Sequence, residues 1–171
     1  NYELITNCWY TPDGRLLASQ GGAIYEINQE DGSLTVLFET DGDADTACFS
    51  DTQMVAFTNT KAYRFDLVKG ELLEQDEELD KFISGLTNNG EKGVYWTSGN
   101  YSFLVAMDKD NTLYLACQDG LYQCTAGESP KQLLQGTLCS MGDPSNGKYG
   151  MLVEDGPVFL VLFSSGLSRF T

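Results

Sequence analysis

Short apolar stretches separated by polar turns recur along the whole chain. The segment 16–38, LLASQGGAIYEINQEDGSLTVLF, has the pattern strand, turn, strand, turn, strand. Within AIYEIN, Ile24 and Glu26 would point to one side and Tyr25 and Ile27 to the other, because side chains alternate along a strand. The pattern therefore predicts antiparallel hairpins.

Rough copies of this segment begin at Met54, Leu113 and Tyr149. The aromatic residues that begin the third strand of each copy lie 38, 59 and 37 residues apart: Tyr25, Tyr63, Tyr122 and Phe159. Periods of about 40 residues that carry several short strands are typical of propeller blades. The repeat predicts a single domain of four units, approximately 2–40, 45–79, 101–136 and 138–171, with an insertion at 76–100.

Turn dipeptides punctuate the repeats. Asp-Gly and Asn-Gly tolerate the positive φ angles of type I′ hairpin turns, and they begin at Asp13, Asp31, Asp41, Asn89, Asp119, Asn146 and Asp155. We therefore predict an all-β, β-propeller-like fold of about four four-stranded antiparallel blades. An irregular β-sandwich of similar strand number is the alternative.

The insertion allows two interpretations. The repeat register predicts an outer strand over 71–75, whereas 71–83 is rich in helix formers, and Leu72, Leu79 and Ile83 could share one helical face. We follow the register for 71–75 and leave 76–83 open.

Two stretches carry a resemblance to a known fold family. LLASQGGAIYEINQEDGSLTVLF and FTNTKAYRFDLVKGELLE resemble blades of quinoprotein-like β-propellers: a strand, Gly, a strand with Tyr and Asp or Asn, then Gly and an outer strand. Similar blades occur in sensor domains of bacterial receptors and in secreted solute-binding lipoproteins. The resemblance implies a non-catalytic binding module, extracellular or at a bacterial cell surface. Tryptophans that would dock a quinone are missing, so that cofactor is not expected.

Four units are few for a propeller. The chain could form a four-bladed ring, a segment of a larger ring, or an assembly closed by another copy. A segment would expose a blade face, which is a site for association. The first residue is Asn rather than Met, as expected of a fragment of a longer protein.

Charge and hydropathy limit the partners. The 171 residues include 25 acidic and 10 basic ones, for a formal net charge of −15. Such a field repels phosphates, so nucleic acid is excluded as a main partner. The longest apolar run, 157–163, has the length of a strand and falls short of the ~18 residues of a membrane helix, so no direct membrane insertion is expected.

The chain contains no histidine. This excludes catalytic triads, histidine bases and histidine metal ligands. Two carboxylic acids could still cleave a glycosidic bond, and the candidates for such a pair are Asp43, Asp45, Glu77, Glu78 and Asp80. A carboxylate-based hydrolase is therefore the alternative to a non-catalytic module.

Asp41, Asp43 and Asp45 in DGDAD have the alternating spacing that opens a calcium loop. An EF-hand would need Gly at the sixth position and Glu at the twelfth, where this chain has Thr46 and Thr52. A looser calcium loop between blades remains, and calcium is the one candidate cofactor. A solvated acidic loop is the alternative.

Aromatic residues cluster at the end of the insertion and the start of the third unit, at Tyr95, Trp96 and Tyr101. Aromatic side chains on loops bind sugars and peptides through apolar faces with a polar tip. These three residues are the candidate surface for a partner protein domain or an extended ligand such as a peptide or glycan. Packing between blades is the alternative role.

Five cysteines cannot all pair within one chain. A two-residue hairpin at Asp119-Gly120 would place Cys117 opposite Tyr122 and Cys124 diagonal to Cys117, beyond the reach of a disulfide. We therefore expect the cysteines to be mainly small buried hydrophobes.

Overall fold

The computed structural model describes the backbone of residues 5, 7–89, 94–95, 101–102, 104–117, 120–135, 152–155, 158–163 and 166–170. Side chains are described for 5, 7–85, 105–115, 117 and 121–133. Four antiparallel sheets follow one another along the chain.

The first sheet consists of β1 Asn7–Tyr10, β2 Leu16–Gln20, β3 Ala23–Ile27 and β4 Leu34–Glu39. The second sheet consists of β5 Thr46–Phe49, β6 Gln53–Phe57, β7 Ala62–Asp66 and β8 Glu71–Leu72. The insertion holds α1 Glu77–Asn89, β9 Val94–Tyr95 and β10 Tyr101–Ser102. The third sheet consists of β11 Leu104–Met107, β12 Leu113–Cys117, β13 Gly120–Cys124 and β14 Lys131–Gln135. The fourth contains β15 Leu152–Asp155, β16 Val158–Phe163 and β17 Gly166–Phe170.

Within every sheet each strand pairs with the next strand in the chain. Strand β11, which leads the third sheet, lies against β5 of the second and β15 of the fourth. The leading strands of the second, third and fourth sheets are therefore neighbours, as in propeller blades around an axis. The predicted all-β architecture of four-stranded antiparallel sheets is confirmed, with three described strands in the fourth sheet.

Apolar side chains between successive sheets form two cores. The first core joins the first and second sheets, and the ring of Phe38 stacks on Phe65 at a centroid distance of 5.1 Å. The second core joins the second sheet, helix α1 and the third sheet, and Phe82 packs on Tyr122 at 4.8 Å. Burial between sheets therefore supplies the hydrophobic free energy of this fold.

Helix α1 settles the ambiguity of the insertion. The strand predicted for 71–75 ends at Leu72, and the helix begins at Glu77, so the register was correct only for the first two residues. Leu79 and Ile83, one helical turn apart, are fully buried in the second core. The helix thus fills space between two sheets and buries its apolar face there.

The two-residue hairpin between β2 and β3 has a turn sequence other than the predicted Asp-Gly or Asn-Gly. Gly21 and Gly22, between β2 and β3, have φ angles of 57° and 78°, as a type I′ turn requires at both central residues. At Asp13-Gly14 and Asp31-Gly32 only the glycines have positive φ, so the type I′ prediction was wrong for these two turns. Longer loops at these two positions provide hydrogen-bond partners for their own main-chain groups; for example, the Gly32 N–H donates to the Asn28 carbonyl oxygen at 2.8 Å.

One expectation about the cysteines needs correction, and the other holds for three of the four cysteines whose side chains are described. Cys117 pairs with Gly120 and Leu115 with Tyr122, so the predicted hairpin register was wrong by two residues. Cys48, Cys117 and Cys124 are buried, but Cys8 is exposed. Burial raises the pKa of both Cys48 and Cys124 to about 12. No helix within the described residues has the length and apolar character needed to cross a membrane.

Candidate functional site

The acidic segment 41–45, which we call the connector, links the first sheet to the second. The Asp41 carboxylate accepts hydrogen bonds from Thr58 Oγ1, at 2.7 Å, and from the Thr60 hydroxyl. The Asp41 main-chain N–H donates to the Tyr63 hydroxyl at 2.9 Å. Burial raises the pKa of Asp41, but the bonds from Thr60 and Thr58 outweigh it, so the net shift is downward. Asp41 is thus held as a carboxylate on the second sheet.

Asp43 and Asp45 have other surroundings. Asp43 Oδ1 accepts the Gly22 N–H at 3.0 Å, which ties the connector back to the hairpin of the first sheet. Burial raises the pKa of Asp45, and the negative charge of Asp43 raises it further. Of the three acids proposed for calcium, Asp41 and Asp43 therefore bond to different sheets, and Asp45 is affected by the charge of Asp43.

The connector also has a plain structural role. Ala44 is fully buried; its N–H donates to Ser19 Oγ at 2.8 Å, and its carbonyl accepts from Asn7 Nδ2 at 3.0 Å. Within the described residues, no group of three or more His, Cys, Asp or Glu side chains is arranged to hold a metal ion. Calcium binding at Asp41, Asp43 and Asp45 stays a prediction.

The aromatic surface is only partly within the described residues. Tyr95 and Tyr101 are directly opposite each other in the short antiparallel pair β9–β10. Trp96 lies outside the described residues. The backbone thus brings two of the three predicted aromatic positions together, and the exposure of their side chains stays a prediction.

The other acids proposed for catalysis lie in the first turn of α1. Glu78 accepts hydrogen bonds from Lys81 Nζ at 2.9 Å and from Ser129 Oγ at 2.6 Å. Asp80 accepts the Ala62 N–H at 2.9 Å, and burial raises its pKa. Glu77 is exposed. Glu78 and Asp80 thus connect the helix to the third and second sheets.

A cleft between the second and third sheets is the feature that the sequence analysis missed. Arg64 lies on β7 and is only 6% exposed. Its Nη1 donates to the Asn111 carbonyl at 3.2 Å, whereas its Nε and Nη2 have no hydrogen-bond partner among the described residues. Two cavities, of about 520 and 500 Å³, both have Arg64 in their walls. We call this region the Arg64 cleft.

Strand alternation contained a signal for this cleft. In AYRFD, Tyr63 and Phe65 face the first sheet, so Arg64 must face the third sheet, where the partners of β7 are apolar. A lone charged residue in the middle of a buried strand is unusual. Sequence alone does not show whether such a side chain has a partner, because its partners come from distant loops.

The first sheet carries an exposed apolar face. Two cross-strand rows form it: Tyr10, Leu16, Ile27 and Leu34, and Cys8, Ala18, Tyr25 and Val36, of which Ala18 is fully buried. Val36 is 53% exposed and Tyr10 64%. We call this surface the open face. Tyr63 and Tyr122, which occupy the position of Tyr25 in the next two repeats, are buried at 7% exposure each.

Comparison with known proteins identifies similar folds. No protein-family profile and no curated protein sequence matches the chain. TolB from Acinetobacter baumannii is 17% identical, over 98% of this chain and 40% of TolB, with a TM-score of 0.53. An auxiliary nutrient binding protein from Bacteroides ovatus ATCC 8483 is 12% identical, over 97% of this chain and 46% of that protein, with a TM-score of 0.53.

The chain spans less than half the length of either of these proteins. At such low identity the likeness concerns the fold alone. Both are β-propeller-like proteins, and their sheets match those of this chain over nearly its whole length. The chain therefore has a generic propeller-type fold.

Proposed function

We propose that this chain is a non-catalytic binding and interaction module of a secreted or surface-anchored bacterial protein, in a receptor or solute-capture context. The open face carries this proposal. Exposed apolar surfaces of this kind are where soluble proteins contact partners.

The equivalent face of the second sheet indicates what kind of surface would cover the open face. In the second sheet the row Phe49, Met54, Phe65 and Leu72 corresponds to the row of Tyr10. Met54 and Phe65 are at most 1% exposed there because the first sheet covers them. The open face has the same strand register and similar side chains. Its partner is therefore another twisted antiparallel sheet with apolar side chains.

A second contact surface is proposed at the β9–β10 turn. Tyr95 and Tyr101 face each other across this pair, and Trp96 follows Tyr95 in the chain. Aromatic residues are enriched among the side chains that dominate binding energy at interfaces. We assign this turn to contact with a partner domain or an extended ligand such as a peptide or glycan.

The similar structures support the context of the proposal. One of the two is described as a nutrient binding protein, from a bacterium. The absence of histidine from the sequence supports a non-catalytic role. The strongly acidic composition suits a solvent-exposed, soluble module outside the cell.

Self-association of the purified chain tests the open face, because another copy is the one sheet available in that solution. We expect sedimentation velocity to show concentration-dependent dimers, and Val36→Lys to shift them to monomer. Val68→Lys is the matched control, because Val68 is 75% exposed and lies outside the open face. A chain that stays monomeric at all concentrations, or dimers that Val36→Lys leaves intact, would contradict the proposal.

A carboxylate-based hydrolase is the second candidate function. Asp45 favours it, because burial and the charge of Asp43 raise its pKa, as a general acid requires. Chromogenic glycosides test this role directly. Turnover that is lost in both Asp43→Asn and Asp45→Asn, but kept in Asp51→Asn, would establish the hydrolase and overturn the non-catalytic proposal.

A further inference from the structure

Arg64 stands out among the buried polar groups because its charge has no direct partner. Arg64 is only 6% exposed. Burial lowers the pKa of its guanidinium group, and the nearby negative charge of Asp76 partly offsets this effect. Asp76 itself is occupied elsewhere: its carboxylate accepts the N–H groups of Leu79 and Gly127. A buried charge that lacks a direct hydrogen-bonded partner keeps part of its desolvation cost uncompensated.

The two unpartnered nitrogens define a shape. The guanidinium group is planar, and Nε and Nη2 lie along one edge of it, with their N–H bonds nearly parallel. This edge is the one that grips a carboxylate through two parallel hydrogen bonds. The opposite side of the group is anchored, because Nη1 donates to the Asn111 carbonyl at 3.2 Å. One whole binding edge of Arg64 is therefore held in place and left without a protein partner among the described residues.

A second residue of the same cavity, Gln53, also has a buried unpartnered atom. Gln53 Oε1 is buried and accepts no hydrogen bond from the described residues. Gln53 and Arg64 lie on the same face of the second sheet, since Val55 pairs with Arg64 and Gln53 is two residues before Val55. A ligand that meets both groups needs a carboxylate for Arg64 and a hydrogen-bond donor for Gln53.

The rest of the wall narrows the ligand class. The cavity of about 500 Å³ has the size of a small-molecule site. Its wall includes two carboxylic acids, Glu74 and Asp110, and two hydroxyl residues, Thr112 and Thr125. Carboxylates repel a doubly charged anion such as phosphate more strongly than a singly charged carboxylate, and they accept hydrogen bonds from hydroxyl groups.

We propose that the Arg64 cleft binds a small hydroxycarboxylic acid, with the ligand carboxylate on the Nε–Nη2 edge of Arg64 and a ligand hydroxyl donating to Gln53 Oε1. The site gives the proposed binding role a soluble ligand, and in that sense it rests on the proposed function. It lies between the second and third sheets, and its lining includes no residue of the open face.

Nuclear magnetic resonance of the whole chain tests the site, with glycolate as the probe. Glycolate should shift the Arg64 Nε–H resonance in a saturable way. Glycolamide, which lacks the charge, and sulfate at equal ionic strength should leave that resonance unchanged. An equal response to sulfate or chloride would mean an adventitious ion only and would overturn the proposal, as would no response to glycolate.

Variants separate binding from folding. Arg64→Met should lower glycolate affinity about tenfold or more, the loss expected for a charged hydrogen-bonded pair. It should fold, because an apolar side chain in place of an unpaired buried charge is commonly neutral or stabilising. Arg15→Met is the control on an arginine outside the cleft, which is half-buried and pairs with Asp13, and it should bind as the unmodified chain does.

Gln53→Leu tests the second contact without touching Arg64. It should weaken glycolate several-fold but leave acetate unchanged, because acetate has no hydroxyl group to donate. Equal effects on the two acids would contradict the assigned role of Gln53. If all these binding tests fail, the proposal about the open face still stands, because sedimentation velocity tests it independently. The two proposals can therefore be contradicted separately.

Discussion

The carboxylate of Asp76 accepts main-chain N–H groups from both Leu79, at 3.1 Å, and Gly127, at 3.0 Å. The first bond caps the N-terminus of α1, and the second holds the β13–β14 loop of the third sheet. One buried side chain therefore begins the helix and joins it to a sheet that lies 51 residues away in the chain. Helix α1 is therefore fixed by hydrogen bonds between the second and third sheets and forms part of their interface.

Loss of this carboxylate should destabilise the fold. We expect Asp76→Ala to lower the free energy of unfolding by about 1–2 kcal/mol, as for other N-cap residues. Asp76→Asn should cost less, because the amide oxygen still caps Leu79. Urea denaturation followed by circular dichroism measures both. Glu77→Gln is the control on an exposed neighbour and should stay within about 0.5 kcal/mol; an equal cost for Asp76→Ala and Glu77→Gln would contradict the cap.

Two glycines should respond in opposite directions to alanine. Gly22 has a φ of 78°, and a Cβ there would lie 3.3 Å from the Thr40 carbonyl oxygen, so Gly22→Ala should destabilise the chain by about 1–2 kcal/mol. Gly85 lies in α1 with open space around it, so Gly85→Ala should stabilise by about 0.5–1 kcal/mol. Thermal denaturation of the two variants checks both signs. The same sign for both would show that the turn geometry is not as described.

Much of this architecture could be predicted from the chain itself, because strand alternation and repeat spacing are local properties. The period of Tyr25, Tyr63 and Tyr122 identified three equivalent strands correctly. The role of Asp76 as a helix cap could not be predicted, because the strand register of 71–75 left the first residue of the helix undetermined. Arg64 was missed for a different reason: Asn111, which accepts the hydrogen bond of its side chain, comes from the loop between β11 and β12 of another sheet. Contacts between repeats do not follow from the pattern within one repeat.

Asp45 should make the stability of the chain depend on pH. Burial and Asp43 raise its pKa above the ordinary value of 3.8, so its ionisation costs stability once the pH rises above the unfolded-state value. The penalty is complete above the folded-state pKa and absent well below 3.8. Asp45→Asn should therefore stabilise the chain at neutral pH and much less in acid. Asp51→Asn, at an exposed turn, is the control, and equal gains at both pH values would contradict this account.

Calcium provides a separate test of the connector. If Asp41, Asp43 and Asp45 bind the ion, calcium should raise the melting temperature by mass action more than equal magnesium does. Asp43→Asn should abolish the difference, because two carboxylates hold a divalent cation less well than three. A melting temperature that responds equally to both cations would remove the calcium hypothesis and leave the connector as a purely structural link.

Trp96 decides whether the β9–β10 turn is a contact surface. In the Trp9→Phe variant Trp96 is the sole tryptophan. We expect its emission to be red-shifted and readily quenched by acrylamide, because the side chain of a contact surface is exposed to solvent when no partner is bound. The matched control is Trp96→Phe, which leaves Trp9, a half-buried residue that packs on the first core. Emission from Trp96 that is blue-shifted and at least as protected as that from Trp9 would place it in the core and end the surface hypothesis.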